Sequence, residues 1–176
     1  MSEQYMTDIQ NTFGAKTRNK YIIRNLRENE IHLLKDFLYE AIFIPEGVEP
    51  PARDIVEKPE LKAYTDGFGS RKGDNCLVAD VEGKVVGAVW TRIMDDYGHV
   101  DDSTPSFAIS LYKEYRNQGI GSQLMVEMLE LLKQQGYERA SLAVQKANYA
   151  VKMYKNVGFK TVDENDEEYI MVCELK

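Results

Sequence analysis

Apolar and polar residues recur along this chain with periods that mark out most of its elements. From Glu28 to Ile44, Ile31, Leu34, Phe37, Leu38, Ala41 and Ile42 return at intervals of three and four, which predicts an amphipathic helix. Pro45 stops it, since proline has no N–H for the helical ladder. Gly119 opens a second helix with two apolar rows, Ile120, Leu124, Met128, Leu131 and Met125, Leu129, Leu132, and Gly136 closes it. A shorter helix is expected over Ala147 to Asn156, and a brief one from Pro59 to Tyr64. Strands are expected at Tyr21–Arg24, Cys76–Val81, Val85–Trp90, Ser106–Leu111, Arg139–Val144, Phe159–Val162 and Glu168–Leu175. Glu82-Gly83-Lys84 signals a hairpin between the second and third of these. Helices thus mix with both adjacent and crossover-linked strands, which makes a mixed α/β sheet the expected fold.

Residues 1–20 carry no sustained period and read as a flexible arm, leaving 21–176 for one domain. The whole chain of 176 residues suits a single domain of roughly 100–200 residues. No apolar run approaches the roughly 18 residues that span a bilayer, and the N-terminal segment is polar, so the expectation is a cytoplasmic protein that does not enter membranes. A formal net charge of −7 argues against nucleic acid as a partner. It suits a cationic partner such as an amine, and it is equally explained by solubility. Cys76 and Cys173 each sit in an apolar strand and read as small buried hydrophobes. His32 and His99 lie far apart with no cysteine near them, so no metal site is expected.

The chemistry-bearing stretch is Arg116-Asn117-Gln118-Gly119-Ile120-Gly121, between an apolar strand and the long helix. A helix N-terminus exposes four unpaired N–H groups at the positive end of the macrodipole. Two glycines there let a ligand reach the backbone, so the segment can cradle a diphosphate. A plain tight strand-to-helix turn would use the same glycines. Ser122-Gln123 follows where a Walker loop needs Lys-Ser or Lys-Thr, and the motif falls too late in the chain for a Rossmann fingerprint.

This loop, together with Asn148-Tyr149-Ala150-Val151-Lys152-Met153-Tyr154-Lys155-Asn156-Val157-Gly158-Phe159, resembles the two signatures of the GNAT (GCN5-related N-acetyltransferase) superfamily. The resemblance covers roughly Tyr21 to Leu175. It implies a mixed, mostly antiparallel sheet of about seven strands, splayed between two parallel strands and flanked by helices. It implies an N-acetyltransferase that moves an acetyl group from the cosubstrate acetyl-CoA to a primary amine of a small molecule or peptide. A catalytically weak acyl-CoA sensor or scaffold, and an enzyme using a different acyl-CoA, remain open beside it.

Residue by residue, the resemblance implies that the backbone of Ile109, Ser110 and Leu111 meets the acyl carbonyl and the pantetheine amides, with the Ile109 and Leu111 side chains facing the core. The amides of Asn117, Gln118, Gly119, Ile120, Gly121 and Ser122 would hold the pyrophosphate, and Arg116 would shape the loop. Tyr154 would protonate the departing thiolate, since a phenol (about 10) titrates above a thiol (about 8.5). Tyr154 also falls on an apolar helical stripe with Ala147, Val151 and Val157, so a core role is open. Asn148 would bind pantetheine or cap the following helix.

The amine must also lose a proton. Ala143 stands where one subgroup of the superfamily carries a glutamate, which leaves Asp101 and Asp102, acting through water, as the expected base. Asp95 and Asp96 are also candidates, and a run of solvated loop carboxylates would look the same. The acceptor groove would lie within Ile42–Ser70, with Tyr39, Phe43, Tyr64 and Phe68 as walls and Glu40, Glu46, Glu49 and Asp66 as acidity. The last strand, Tyr169 to Leu175, could pair across a homodimer.

Overall fold

The computed structural model describes residues 20–176. The arm expected over residues 1–20 therefore lies, but for Lys20, outside the described residues. Seven strands form one sheet: β1 (Ile22–Asn25), β2 (Asn75–Val81), β3 (Lys84–Arg92), β4 (Ser106–Leu111), β5 (Arg139–Gln145), β6 (Lys160–Glu164) and β7 (Glu168–Glu174). Their spatial order is β1-β2-β3-β4-β5-β7-β6. Every neighbouring pair is antiparallel except β4 and β5, which run parallel. The helices are α1 (Leu34–Ala41), α2 (Pro59–Lys62), α3 (Ile120–Gln134) and α4 (Ala150–Asn156).

The sheet buries both faces, so the core has two parts. On one face, α3 sets Ile120, Leu124, Met125, Met128, Leu129 and Leu132 against Phe107, Leu142, Val144 and Met171. On the other, Leu34, Phe37 and Leu38 of α1 meet Val78, Ala88 and Trp90. Alternation along β3 breaks where Asp80 pairs with Val85 and Ala79 with Gly87, so Val86 is one residue in excess. The bulge explains why Val85 and Ala88 serve one face while Val86 and Val89 serve the other.

Three boundaries differ from expectation for local reasons. The first helix begins as a 3-10 segment over Glu28–Leu33 and becomes α-helical only as α1. It ends at Ala41, four residues before Pro45, because Pro45 can neither donate to the Ala41 carbonyl nor clear it sterically. The helix expected from Ala147 starts at Ala150, since the Asn148 side chain accepts the Ala150 amide at 2.9 Å and holds the preceding residues in a turn. The segment before β2 contains a 3-10 turn at Arg53–Glu57 as well as α2.

The expected pairing of the last strand across a homodimer needs correction. β7 is an interior strand, paired with β5 from Arg139↔Glu174 to Gln145↔Glu168 and with β6 on its other edge. Most of its backbone is thus already used, and it offers no free edge to a second copy. No helix among the described residues is long and apolar enough to cross a membrane.

Candidate active site

β4 and β5 share only the register pair Ser106↔Ser141, after which they part. The Ser141 amide donates to the Pro105 carbonyl at 2.9 Å, and the Tyr112 amide turns the other way, to Val86 at 3.0 Å. Strand alternation therefore directs the N–H and C=O of Ile109 and Leu111 into the gap and those of Ser110 toward β3. Ser110 instead donates its hydroxyl to the Phe37 carbonyl at 2.6 Å, which ties β4 to α1. The Ile109 and Leu111 side chains are half-buried and pack against the α3 core.

At the far end of the gap the chain turns into α3. Asn117 (φ 59°) and Gly119 (φ 83°) both adopt the left-handed region, which turns the chain sharply into the helix. The first amide of this segment to find an acceptor is that of Gln123, which donates to Gly119 at 3.1 Å. Among the described residues the amides of Asn117, Gln118, Gly119, Ile120, Gly121 and Ser122 have no acceptor, and no side chain caps the helix. A Cβ on Gly119 would meet nothing within 4 Å, so the loop faces open space. One on Gly121 would lie 3.3 Å from Leu111 Cδ1 and 3.4 Å from Met153 Sδ, where the loop, β4 and α4 converge. Six free donors at the positive end of a 15-residue helix fit a diphosphate.

Arg116 fixes this loop from behind. Its Nε donates to the Leu111 carbonyl at 2.9 Å, and its Nη2 meets Glu40 Oε2 at 3.0 Å. The Leu111 carbonyl is therefore committed, which leaves its amide and both groups of Ile109 for a ligand in the gap.

Tyr154 is 9% exposed and packs edge-on against Phe159 at 6.2 Å. Burial raises its phenol above the ordinary range, so it stays protonated at any physiological pH. Its hydroxyl has no hydrogen-bond partner among the described residues. Since every sealed side-chain polar atom there is satisfied, the hydroxyl tip must reach accessible space. It is a core ring with a free donor. Asn148 Oδ1 is taken by the Ala150 amide, so only its amide nitrogen is available.

The acidic segment divides sharply. Asp101 accepts from the Ser103 amide and hydroxyl at 2.8 and 2.7 Å, from Thr104 at 2.9 Å, and from Arg139. The Ser103 hydrogen bonds foremost hold its pKa down to about 2. Such a carboxylate is a poor proton acceptor near neutrality. Asp102 is fully exposed, with only His99 beside it at 3.6 Å. Asp96 is better placed: its two oxygens accept from Tyr64 Oη at 2.7 Å and Ser106 Oγ at 2.9 Å, at the residue where β4 and β5 part.

The acetyltransferase (GNAT) family matches residues 38–159 of the chain. The chain belongs to the GNAT acetyltransferase family. Human N-acetyltransferase 8B is 29% identical over 113 residues, which are 64% of this chain and 50% of that protein. The chain thus spans about half the length of the human relative it matches. An uncharacterized N-acetyltransferase of Archaeoglobus fulgidus is 27% identical over 128 residues, 69% of this chain and 82% of its own. The crystal structure of PaiA N-acetyltransferase from Thermoplasma acidophilum in complex with coenzyme A superposes with a TM-score of 0.66 at 20% identity, covering 88% of this chain and 99% of that one. At that identity the likeness concerns the fold, and the fold is the splayed GNAT sheet described above.

Within this GNAT chain, the sequence offers Tyr64 as a wall of an acceptor groove and Asp96 as one of four loop aspartates. The hydrogen bond that joins them crosses 32 residues of chain, and no local pattern signals it.

Proposed function

We propose that this chain is an N-acetyltransferase that uses acetyl-CoA to acetylate a primary amine of a small molecule or peptide. The observation that carries the reading is the row of six acceptor-less amides, Asn117 to Ser122, at the mouth of a gap between two parallel strands. Acetyl-CoA would supply an activated acetyl group whose C–S bond breaks as the amine N–C bond forms. The loop amides hold the diphosphate, and the backbone of Ile109 and the amide of Leu111 bond the arm and the acyl carbonyl. An N–H aimed at that oxygen stabilises the negative charge that develops there during attack. Tyr154 donates its free hydroxyl proton to the departing sulfur.

Ala143, where a subgroup of the family carries a carboxylate, favours a second reading, an acyl-CoA-binding scaffold with little turnover. Calorimetric titration with acetyl-CoA and CoA, followed by a screen of diamines, polyamines and peptides with free N-termini, separates the two. The enzyme binds both ligands and acetylates at least one acceptor. Its Tyr154→Phe variant keeps acetyl-CoA affinity and loses about 100-fold in kcat. A scaffold binds and turns over nothing. Absence of binding by folded protein discards both.

A further inference from the structure

We propose that Asp96 is the carboxylate that takes the amine's proton, through a short chain of waters, and that Tyr64 is the residue that positions it. The inference rests on the N-acetyltransferase reading above and adds the base which that reading lacks.

The argument starts from how firmly Asp96 is held. Each carboxylate oxygen accepts one hydroxyl, Tyr64 on one side and Ser106 on the other. Tyr64 is itself pinned through its backbone segment. Trp90 Nε1 donates to the Tyr64 carbonyl at 3.2 Å, and Arg92 Nη1 donates to the carbonyls of Ala63 and Asp66 at 2.9 and 2.7 Å. Trp90 and Arg92 are 1% and 0% exposed, so the frame is rigid. On the other flank, Gly98 lies so close to β5 that a Cβ there would come within 3.0 Å of the Ala143 amide nitrogen. The Ser141 hydroxyl donates to the Gly98 carbonyl at 2.7 Å. Residues 96–98 are thus clamped over the point where the two strands part.

The same face leaves room for an acceptor. Phe107, Leu142 and Val144 turn toward α3, whereas Ala108 packs with the α1 cluster. Alternation puts Ser106, Ala108, Ser141 and Ala143 together on the α1 face. Ser106 and Ser141 are sealed beneath residues 96–98, and the part-exposed Ala108 and Ala143 form the small-residue floor flanking the gap. Ser106 lies three residues from Ile109, about 10 Å along the strand. That is three or more hydrogen-bond lengths of roughly 2.8 Å, so a short chain of waters must carry the proton.

Charge decides between the carboxylates. Asp101 is stabilised as an anion by three hydrogen bonds and a guanidinium. Both partners of Asp96 are neutral hydroxyls, so no ion pair occupies it. The other ionisable groups that bear on the pair are Tyr97 of the same loop and Glu168 of β7, whose charges, after burial and Asp96 itself, help raise the Tyr64 phenol. Arg92, the buried cation of the frame, is occupied by Asp74 at 2.8 Å. Tyr64 accordingly remains a donor to Asp96 throughout the working range.

The proton balance closes. The ammonium gives one proton through water to Asp96, which passes it to solvent. The neutral nitrogen forms the N–C bond, the C–S bond breaks with its electron pair going to sulfur, and Tyr154 protonates that sulfur. The second proton shed by nitrogen returns through solvent to Tyr154. The products are the amide and CoA thiol, with one proton released.

The test compares wild type, Asp96→Asn and Tyr64→Phe with the best acceptor from the amine screen, across pH, beside calorimetric titration with CoA. Asp96→Asn should lose about 100-fold in kcat near neutral pH with unchanged CoA affinity and acceptor KM. The loss should shrink as pH rises through the amine's own pKa, because the free base then needs no acceptor. Tyr64→Phe should show a weaker form of the same pattern, and it carries the test alone if Asp96→Asn does not fold. Wild-type rates in both variants, or a loss equal at every pH, overturn the proposal while the N-acetyltransferase reading stands. CoA binding with no acetylation of any amine by wild type overturns both, and absence of CoA binding removes the N-acetyltransferase reading first.

Discussion

Arg116 and Glu40 meet at 3.0 Å, and the pair joins the glycine loop to α1 while Arg116 Nε closes on the Leu111 carbonyl. One side chain therefore ties the end of β4, the loop and the helix on the opposite face of the sheet. Both partners are largely shielded, with side-chain exposures of 26% and 14%. Arg116→Met removes these bonds without touching the amides that face the ligand. Acetyl-CoA affinity should fall about tenfold, the equivalent of one lost charge-assisted hydrogen bond. Calorimetry checks this, and an unchanged affinity would mean that the loop holds its shape without the arginine.

The two glycines of the loop should fail in different ways. Gly121→Glu forces a side chain between Leu111 and Met153 at the base of the amide row and adds negative charge where the diphosphate would sit. Acetyl-CoA binding should be lost, with some lowering of the melting temperature from the crowded Leu111 and Met153. Gly119→Ala meets open space, but its φ of 83° strains any side chain, at about 1–2 kcal/mol. That variant should melt lower and still bind. Thermal melts paired with calorimetry on both variants distinguish the roles, and equal binding loss in both would contradict the geometry.

These local features are the ones the sequence made legible. Arg116 to Gly121 lies within six consecutive residues, and its turn, helix start and open backbone follow from glycine placement alone. The rows on α3 announced the face that it buries, and six of those residues are indeed buried. Long-range pairings were not legible. The β6–β7 hairpin could have added to the sheet in either order, and only the packing puts β7 next to β5. Asp101 reads as the expected base, ahead of Asp96, because nothing in the chain around residue 101 reveals that Arg139 joins it from 38 residues away. The base assignment turned on such contacts, and a local reading has no access to them.

Asp101 should behave as a structural anion. Its folded pKa is depressed to about 2, below the ordinary value near 3.9, so it stabilises the fold above that ordinary value. The contribution fades as pH falls from about 4 toward 2. Its side chain is 35% exposed, and solvent screening keeps the effect under about 1 kcal/mol. Asp101→Asn should lower the melting temperature slightly at neutral pH and flatten the acid side of the stability profile, with kcat unchanged. A loss of kcat with an altered pH–rate profile would return the base to Asp101.

The buried pair Arg92–Asp74 sets the order of the segment over residues 63–74. Arg92 grips Asp74 through two nitrogens at 2.8 and 2.9 Å, and their side chains are 0% and 1% exposed. Asp74 in turn accepts the amides of Gly69 and Arg71 at 2.9 and 3.2 Å, so residues 63–74 close on one guanidinium. Asp74→Asn leaves that cation buried without its counter-charge, which costs about 3–5 kcal/mol. Urea denaturation should report this loss. Limited proteolysis should also cut at Arg71 or Lys72 faster than in wild type, because the loop is released before the sheet unfolds. Faster cleavage there with CoA affinity intact would show that the two ends of the gap are organised independently. A parallel loss of CoA binding would mean that the pair holds the β4–β5 splay itself.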